Sequence, residues 1–202
     1  MSNNNTNQNG NNNNNQNNSN VNMKRDFILD GKVGEETIRK ISESIIAINR
    51  QDEEKLEKHF DYIVKPINLI INTYGGSLYD ANMLIGIIET SKTPVHTYCY
   101  GKAMSAGFYI FASGHKRFAT PLATFMYHDG SVGMHNTIEG LKHDVKHMEN
   151  LRDNYDNYIL SRTMIPKQLM DESKRVKEDL YMFADEAYKY GLVDELIAFR
   201  NR

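Results

Sequence analysis

Gly101-Lys102-Ala103-Met104-Ser105-Ala106-Gly107 joins the strand-like run Val95 to Tyr100 to the apolar run Phe108-Tyr109-Ile110-Phe111. A serine between a strand and a helix sits where unpaired backbone N–H groups and the helix dipole favour negative charge. Small neighbours let a substrate approach the hydroxyl, as in nucleophile-elbow turns. A serine at a helix start is more often only an N-cap, so Ser105 needs partners to become a nucleophile. The segment Ile70-Ile71-Asn72-Thr73-Tyr74-Gly75-Gly76-Ser77 offers one set. Paired glycines after a strand turn sharply and leave N–H groups aimed at a ligand. The N–H groups of Gly76 and Ala106 could form an oxyanion hole, although an isolated Gly-Gly is more often a tight strand–helix turn. The segment Phe125-Met126-Tyr127-His128-Asp129-Gly130 places a histidine at the end of an apolar strand, beside a turn, where it could reach another loop at the same sheet edge as a general base, although a lone histidine is more often merely accommodated. Asp179 in Lys177-Glu178-Asp179-Leu180 is the candidate acid, but spacing alone does not select it over Glu178 or Asp185.

These residues need elements to carry them. Phe27 to Leu29 reads as a strand ended by Asp30-Gly31, and Ile38, Ile41, Ile45, Ile46 and Ile48 mark an amphipathic helix from Glu35 to about Arg50. The charged run Gln51 to Lys58 reads as a solvated helix end or loop. Ile67 to Ile71 is strand-like, and Leu84 to Ile88 marks a helix that stops before Pro94. Arg117 to Ala119 and Thr124 to Tyr127 are two short strands. Strand and helix alternate with short breakers, which predicts an α/β fold with a largely parallel sheet. From about Thr137 to Arg162, apolar residues recur every three or four positions. A helix of that length exceeds about 30 Å and predicts a projecting element that packs on another subunit. Pro166 opens a further short helix, Ala184 to Tyr190 forms another ended by Gly191, and Leu192 to Ile197 closes the domain.

The composition narrows the function classes. The 202 residues carry a formal net charge of −2, which gives no footprint for nucleic acid or an acidic membrane. Residues 1–22 include fourteen Asn and two Gln, too little apolar surface to offset the entropy of ordering, and read as a disordered tail. Residues 23–202 are then one domain, large enough for a substantial core. The lone Cys99 lies in an apolar strand and reads as core. No apolar run reaches membrane-spanning length and the N-terminus has no secretory or transit character, so a cytoplasmic protein is expected. His143 and His147 are four apart on one helical face, but that face lies opposite Leu141, Val145 and Met148 and reads as solvated; no metal is expected.

In combination, four motifs carry a resemblance: Gly75-Gly76-Ser77, Gly101 to Gly107, Met126-Tyr127-His128, and Glu186-Ala187-Tyr188-Lys189-Tyr190-Gly191-Leu192-Val193-Asp194. In this order the chain resembles the proteolytic subunit of the Clp protease, from about Phe27 to Ile197. The resemblance implies an α/β spiral of repeated ββα units, shared with the crotonase enzymes, with a long projecting helix for oligomerisation. It implies Ser105 as nucleophile, His128 as general base and Asp179 as the acid that orients the imidazole. Gly76 and Ala106 correspond to the oxyanion donors. It also implies seven-membered rings that stack in pairs, polypeptide substrates, and feeding by a Clp-type AAA+ ATPase. No cofactor is implied for this chain, since ATP would be used by the partner unfoldase.

Several positions depart from the family pattern. Tyr74 stands where proline usually precedes the glycines, Lys102 replaces a small apolar residue, and Asp129-Gly130 replaces a polar residue and proline. Lys177-Glu178 inverts the usual charge order beside the acid, where rings meet. Asn68 and Ile70 stand where aromatics often line the ATPase-docking cleft. A phage-type member acting in prohead maturation fits these departures as well as a housekeeping subunit. A catalytically silent ring subunit would lack a triad residue, and all three are present. A crotonase-type acyl-CoA enzyme would share the spiral without needing the Ser–His–Asp order.

Overall fold

The structure is a computed structural model that describes residues 23–200. The expected disordered tail, residues 1–22, lies outside the described residues. The chain runs β1 (Asp26–Val33), α1 (Glu35–Lys58), β2 (Ile67–Gly76), α2 (Leu78–Glu89), β3 (Val95–Met104) and α3 (Ala106–Ala112). It continues through β4 (Lys116–Ala119), β5 (Thr124–Tyr127), α4 (Ile138–Arg162), α5 (Lys167–Val176), β6 (Leu180–Phe183), α6 (Ala184–Lys189) and β7 (Glu195–Leu196). The sheet order is β1-β2-β3-β4-β7, with every one of these neighbours parallel.

Strand alternation explains how the sheet acquires its core. In β2, Ile67, Leu69, Ile71 and Thr73 point inward while Asn68, Ile70, Asn72 and Tyr74 are partly or fully exposed. Against the inward face pack Ile38, Ile41, Ile45 and Ile48 of α1 and Ala81, Leu84 and Ile88 of α2. Each of these side chains removed from water contributes roughly 1.5–3 kcal/mol for the larger aliphatics. Cys99 is buried in this core, and burial pushes its thiol up to about 12, so it is no nucleophile.

The feature that matters most for the site is a fork at β3. Its first half, His96 to Cys99, pairs with β4; its second half, Lys102 to Met104, pairs with β5. The end of β5 is therefore delivered beside the end of β3. Antiparallel β6 then adds to β5, with Tyr127 opposite Leu180.

Three sequence expectations change. β1 does not stop at Asp30-Gly31: it continues through Gly31, with φ +83°, where Thr73 and Tyr74 of β2 stand opposite this one residue, and resumes pairing at Lys32. The helix expected from Glu35 to about Arg50 runs on to Lys58, so the charged run Gln51 to Lys58 is its mostly exposed end, one of the two readings expected for it. Within it Asp52 is buried and holds Arg25 by two hydrogen bonds, at 3.0 and 2.5 Å, so its polarity marked an internal ion pair rather than a loop. The antiparallel strand β6 was not foreseen; Leu180-Tyr181-Met182-Phe183 is too short for periodicity to announce it. The long helix matches expectation, and its buried residues, Tyr155, Asp156 and Ile159, all lie in its second half.

Candidate active site

Ser105 sits between β3 and α3 with φ +52° and ψ −122°, a conformation that L-residues rarely hold. Such strain persists only where surroundings over-determine it. Here Ser105 N–H donates to Met126 O at 2.9 Å, and Ser105 O accepts from Phe108 N–H at 2.9 Å. The elbow is also pressed against β2. A Cβ on Gly75 would lie 2.7 Å from Ser105 Cβ and 2.8 Å from Met104 O, so only glycine fits below the serine. Ala106, the first residue of α3, has an N–H with no acceptor four residues back in the helix. Ser77 N–H donates to Val33 O at 2.9 Å. Gly76, the other candidate donor, ends β2 and directly follows Gly75.

His128 follows β5 directly, and its Nε2 lies 2.7 Å from Ser105 Oγ. With the ring proton on Nδ1, Nε2 accepts from the hydroxyl, the arrangement a general base requires. Asp179 lies between α5 and β6 and is brought to the other side of the imidazole, with Oδ1 3.9 Å from Nδ1. That is electrostatic range but longer than a hydrogen bond. The imidazole side chain is 26% exposed and the Asp179 side chain 43%. The rivals separate: Glu178 has its backbone bound back to Ser173, and Asp185 belongs to the first turn of α6. All five sequence candidates, Ser105, His128, Asp179, Gly76 and Ala106, therefore gather around the ends of β2, β3 and β5.

A cleft of about 560 Å³ opens at Ser105 and His128. Its walls are mainly apolar: Leu78 and Tyr109 on one side, Leu141, Val145, Met148 and Leu151 of α4 on the other, with Val132 and Met134 from the connecting loop. The apolar stripe of α4 thus forms a wall of this cleft. His143 and His147 are exposed, as expected, and His147 Nε2 meets Tyr79 Oη at 2.8 Å on the surface, linking α4 to α2.

Sequence reasoning missed the polar network behind the site. Asp156 is 7% exposed and accepts from Tyr127 Oη at 2.6 Å and from Lys174 Nζ at 2.5 Å. Burial alone would favour the neutral amine of Lys174, but the hydrogen bonds and charges of Asp156 and Asp171 outweigh it and hold the group above its ordinary range. An acid and a base eighteen positions apart gave no spacing signal. A tyrosine in an otherwise apolar strand was the only hint. Among the described residues, no group of three or more His, Cys, Asp or Glu is arranged to hold a metal ion, and no helix is long and apolar enough to cross a membrane.

Comparison with known proteins places the chain in a family. The sequence profile of the Clp protease family matches residues 9–200. A stretch of 133 residues, 65% of this chain, is 32% identical to the ATP-dependent Clp protease proteolytic subunit of Deinococcus radiodurans and spans 64% of that protein. The chain thus covers a little less than two thirds of that relative's length. Among solved structures, a ClpP1 mutant from Listeria monocytogenes superposes with a TM-score of 0.71 at 21% identity, covering 87% of this chain and 92% of that one. Likeness at that identity speaks for the fold, which is the α/β, ClpP/crotonase-like one. With a matching profile over nearly its whole length, the chain belongs to the Clp protease family.

Proposed function

We propose that this chain is a serine endopeptidase subunit that hydrolyses peptide bonds with Ser105, His128 and Asp179. The observation that carries the reading is the 2.7 Å contact between Ser105 Oγ and His128 Nε2 at a strained strand–helix elbow. In the mechanism, His128 takes the Ser105 proton as Oγ attacks the peptide carbonyl. The tetrahedral oxyanion is held by the N–H groups of Gly76 and Ala106, and collapse expels the amine with the proton returned from His128. Water, deprotonated by the same imidazole, then releases the acyl group from Ser105. Asp179 keeps the proton on Nδ1 and stabilises the imidazolium. Its 3.9 Å separation shortens on substrate binding or assembly, since hydrogen bonds of resting sites tighten in the reacting complex.

The apolar cleft beside Ser105 favours peptides with a bulky apolar side chain before the scissile bond. The start of α4, where Ile138 is exposed and lies outside the cleft lining, suits packing between subunits of a ring. The functional unit is then a cytoplasmic ring of seven, stacked in pairs, fed with unfolded polypeptide by an AAA+ ATPase. ATP is consumed by that partner, and the chain itself needs no cofactor.

The test is labelling by a fluorophosphonate probe, comparing wild type with Ser105→Ala and His128→Ala. Labelling of the wild type alone, mapped to Ser105, is the expected result. No labelling in assembled rings would overturn the serine mechanism in favour of a silent scaffold subunit.

A further inference from the structure

The segments that carry His128 and Asp179 come from different parts of the chain, and one buried carboxylate holds both. Asp156 Oδ1 accepts from Tyr127, the residue immediately before His128, while Oδ2 accepts from Lys174 on α5. The Lys174 anchor is transmitted to Asp179 through a closed turn. Lys177 ends α5 in the left-handed conformation, with φ +58°. Glu178 N–H then donates to Ser173 O at 3.1 Å while Ser173 Oγ donates to Glu178 O. Asp179 is the next residue. Asp156 itself is fixed to the body of the protein, because its neighbour Tyr155 donates to Asn82 Oδ1 at 2.5 Å and lies 2.8 Å from Leu78 O, both on α2.

We infer that Asp156 is a positioning residue: it sets the separation between the imidazole of His128 and the carboxylate of Asp179 by anchoring the strand of one and the helix end of the other. The inference rests on the serine-peptidase reading above. The chemistry requires a carboxylate. Asp156→Asn could still accept from Lys174 with its one oxygen and donate its amide to the Tyr127 hydroxyl, but it removes the charge that holds the ammonium and the charge-assisted bond from the tyrosine, so both anchors weaken. Phenylalanine at 127 would keep the ring contacts with Phe108 and Tyr109 and remove only the hydroxyl.

The experiment measures peptidase turnover per active site titrated with the fluorophosphonate probe, for Tyr127→Phe and Asp156→Asn, each in the wild-type and the Asp179→Asn background. Positioning predicts that Tyr127→Phe lowers kcat per titrated site by roughly tenfold, with KM within about twofold. In the Asp179→Asn background neither variant lowers it further, because the pair being positioned is already broken. Lys174→Arg, which keeps the charged donor, retains turnover close to wild type. A purely structural role would reduce the titratable fraction and leave turnover per titrated site unchanged; that result overturns the inference, as does a loss that multiplies with Asp179→Asn. Failure of the wild type to label at Ser105 overturns the serine-peptidase reading and this inference together.

Discussion

Ser105 and Asp179 approach His128 from opposite kinds of structure. The serine rises from the fork of a parallel sheet, between β2, β5 and α3, where Ala103, Ala106 and Phe108 are fully buried. Strand pairing on both sides of β3 and the close approach of Gly75 hold it in place. The aspartate lies on a short turn between α5 and β6, with its side chain 43% exposed and 3.9 Å from the imidazole. The nucleophile half is stiff enough to store backbone strain, while the acid half is held by a few polar anchors at the rim. On the proposed mechanism, a site built this way would fix its attack geometry on folding and leave the orientation of the base adjustable.

The comparison breaks first where the stiff half is forced. Gly75→Ala adds a methyl 2.7 Å from Ser105 Cβ and 2.8 Å from a backbone carbonyl, at φ +105°. No flexible side-chain tip is available to yield. We expect a destabilisation of about 3 kcal/mol or more, from clash and strain together, and near-complete loss of probe labelling. Thermal denaturation and labelling read both effects. Normal labelling with normal stability would mean that β2 can withdraw from the elbow, and the half is not stiff.

The adjustable half gives a smaller and different signature. Asp179→Asn should leave the thermal midpoint nearly unchanged, because the side chain is substantially exposed and makes no short hydrogen bond to His128. Turnover should fall by roughly 10²-fold, less than the 10⁴ or so seen where a buried aspartate grips the histidine tightly. Ser105 should still label, only more slowly. A loss as large as that of Ser105→Ala would place Asp179 in the rigid machinery after all.

What the sequence disclosed follows the same division. Ser105 and the Gly75-Gly76 turn stand out in the sequence because sheet ends impose local demands, a small residue here and a positive φ there, but each alone reads more readily as an N-cap or a tight turn, and only the four motifs in order made them candidates. The long helix was legible because its periodicity persists over 25 residues. Asp179 needed the family resemblance, since a turn at the rim accepts many acids and spacing could not separate it from Glu178. The Asp156 anchors and the Arg25–Asp52 pair were invisible for a related reason: each joins residues distant in sequence, and a polar residue on a helix gives no sign of facing inward. The run Gln51 to Lys58 was read as a solvated helix end or loop because its internal acid could not be told from its surface ones.

That Arg25–Asp52 pair supplies a pH test of the body of the protein, far from the rim. Burial opposes the charge on Asp52, but hydrogen bonds from Arg25, Thr93 and Tyr62 more than compensate and hold its carboxyl below the ordinary range. A carboxyl depressed in the folded state adds stability that is fully present above its unfolded value, near pH 4, and is lost as pH falls through the folded one. Stability should therefore decline below about pH 4, and Asp52→Asn should flatten that part of the curve. At neutral pH the same variant should cost roughly 2 kcal/mol, because Arg25 is left without its partner. Urea melts from pH 3 to pH 7 would read both; parallel curves for the two proteins would show that the pair does not carry acid sensitivity.

The smallest effect is expected at the cleft wall on α4, which belongs to neither half of the triad. Val145 lines the cleft but is half exposed, so it has less apolar contact to offer a substrate than the better-covered Leu141 and Met148. Replacing it with serine removes one methyl and makes another polar, worth about 0.5–1 kcal/mol against a bulky apolar side chain and nothing against alanine. In a peptide series differing only before the scissile bond, Val145→Ser should lower kcat/KM about threefold for leucine or phenylalanine and leave alanine unchanged. An equal loss across the series would mean that Val145 acts through the placement of α4, making the helix part of the adjustable half rather than a wall that the substrate touches.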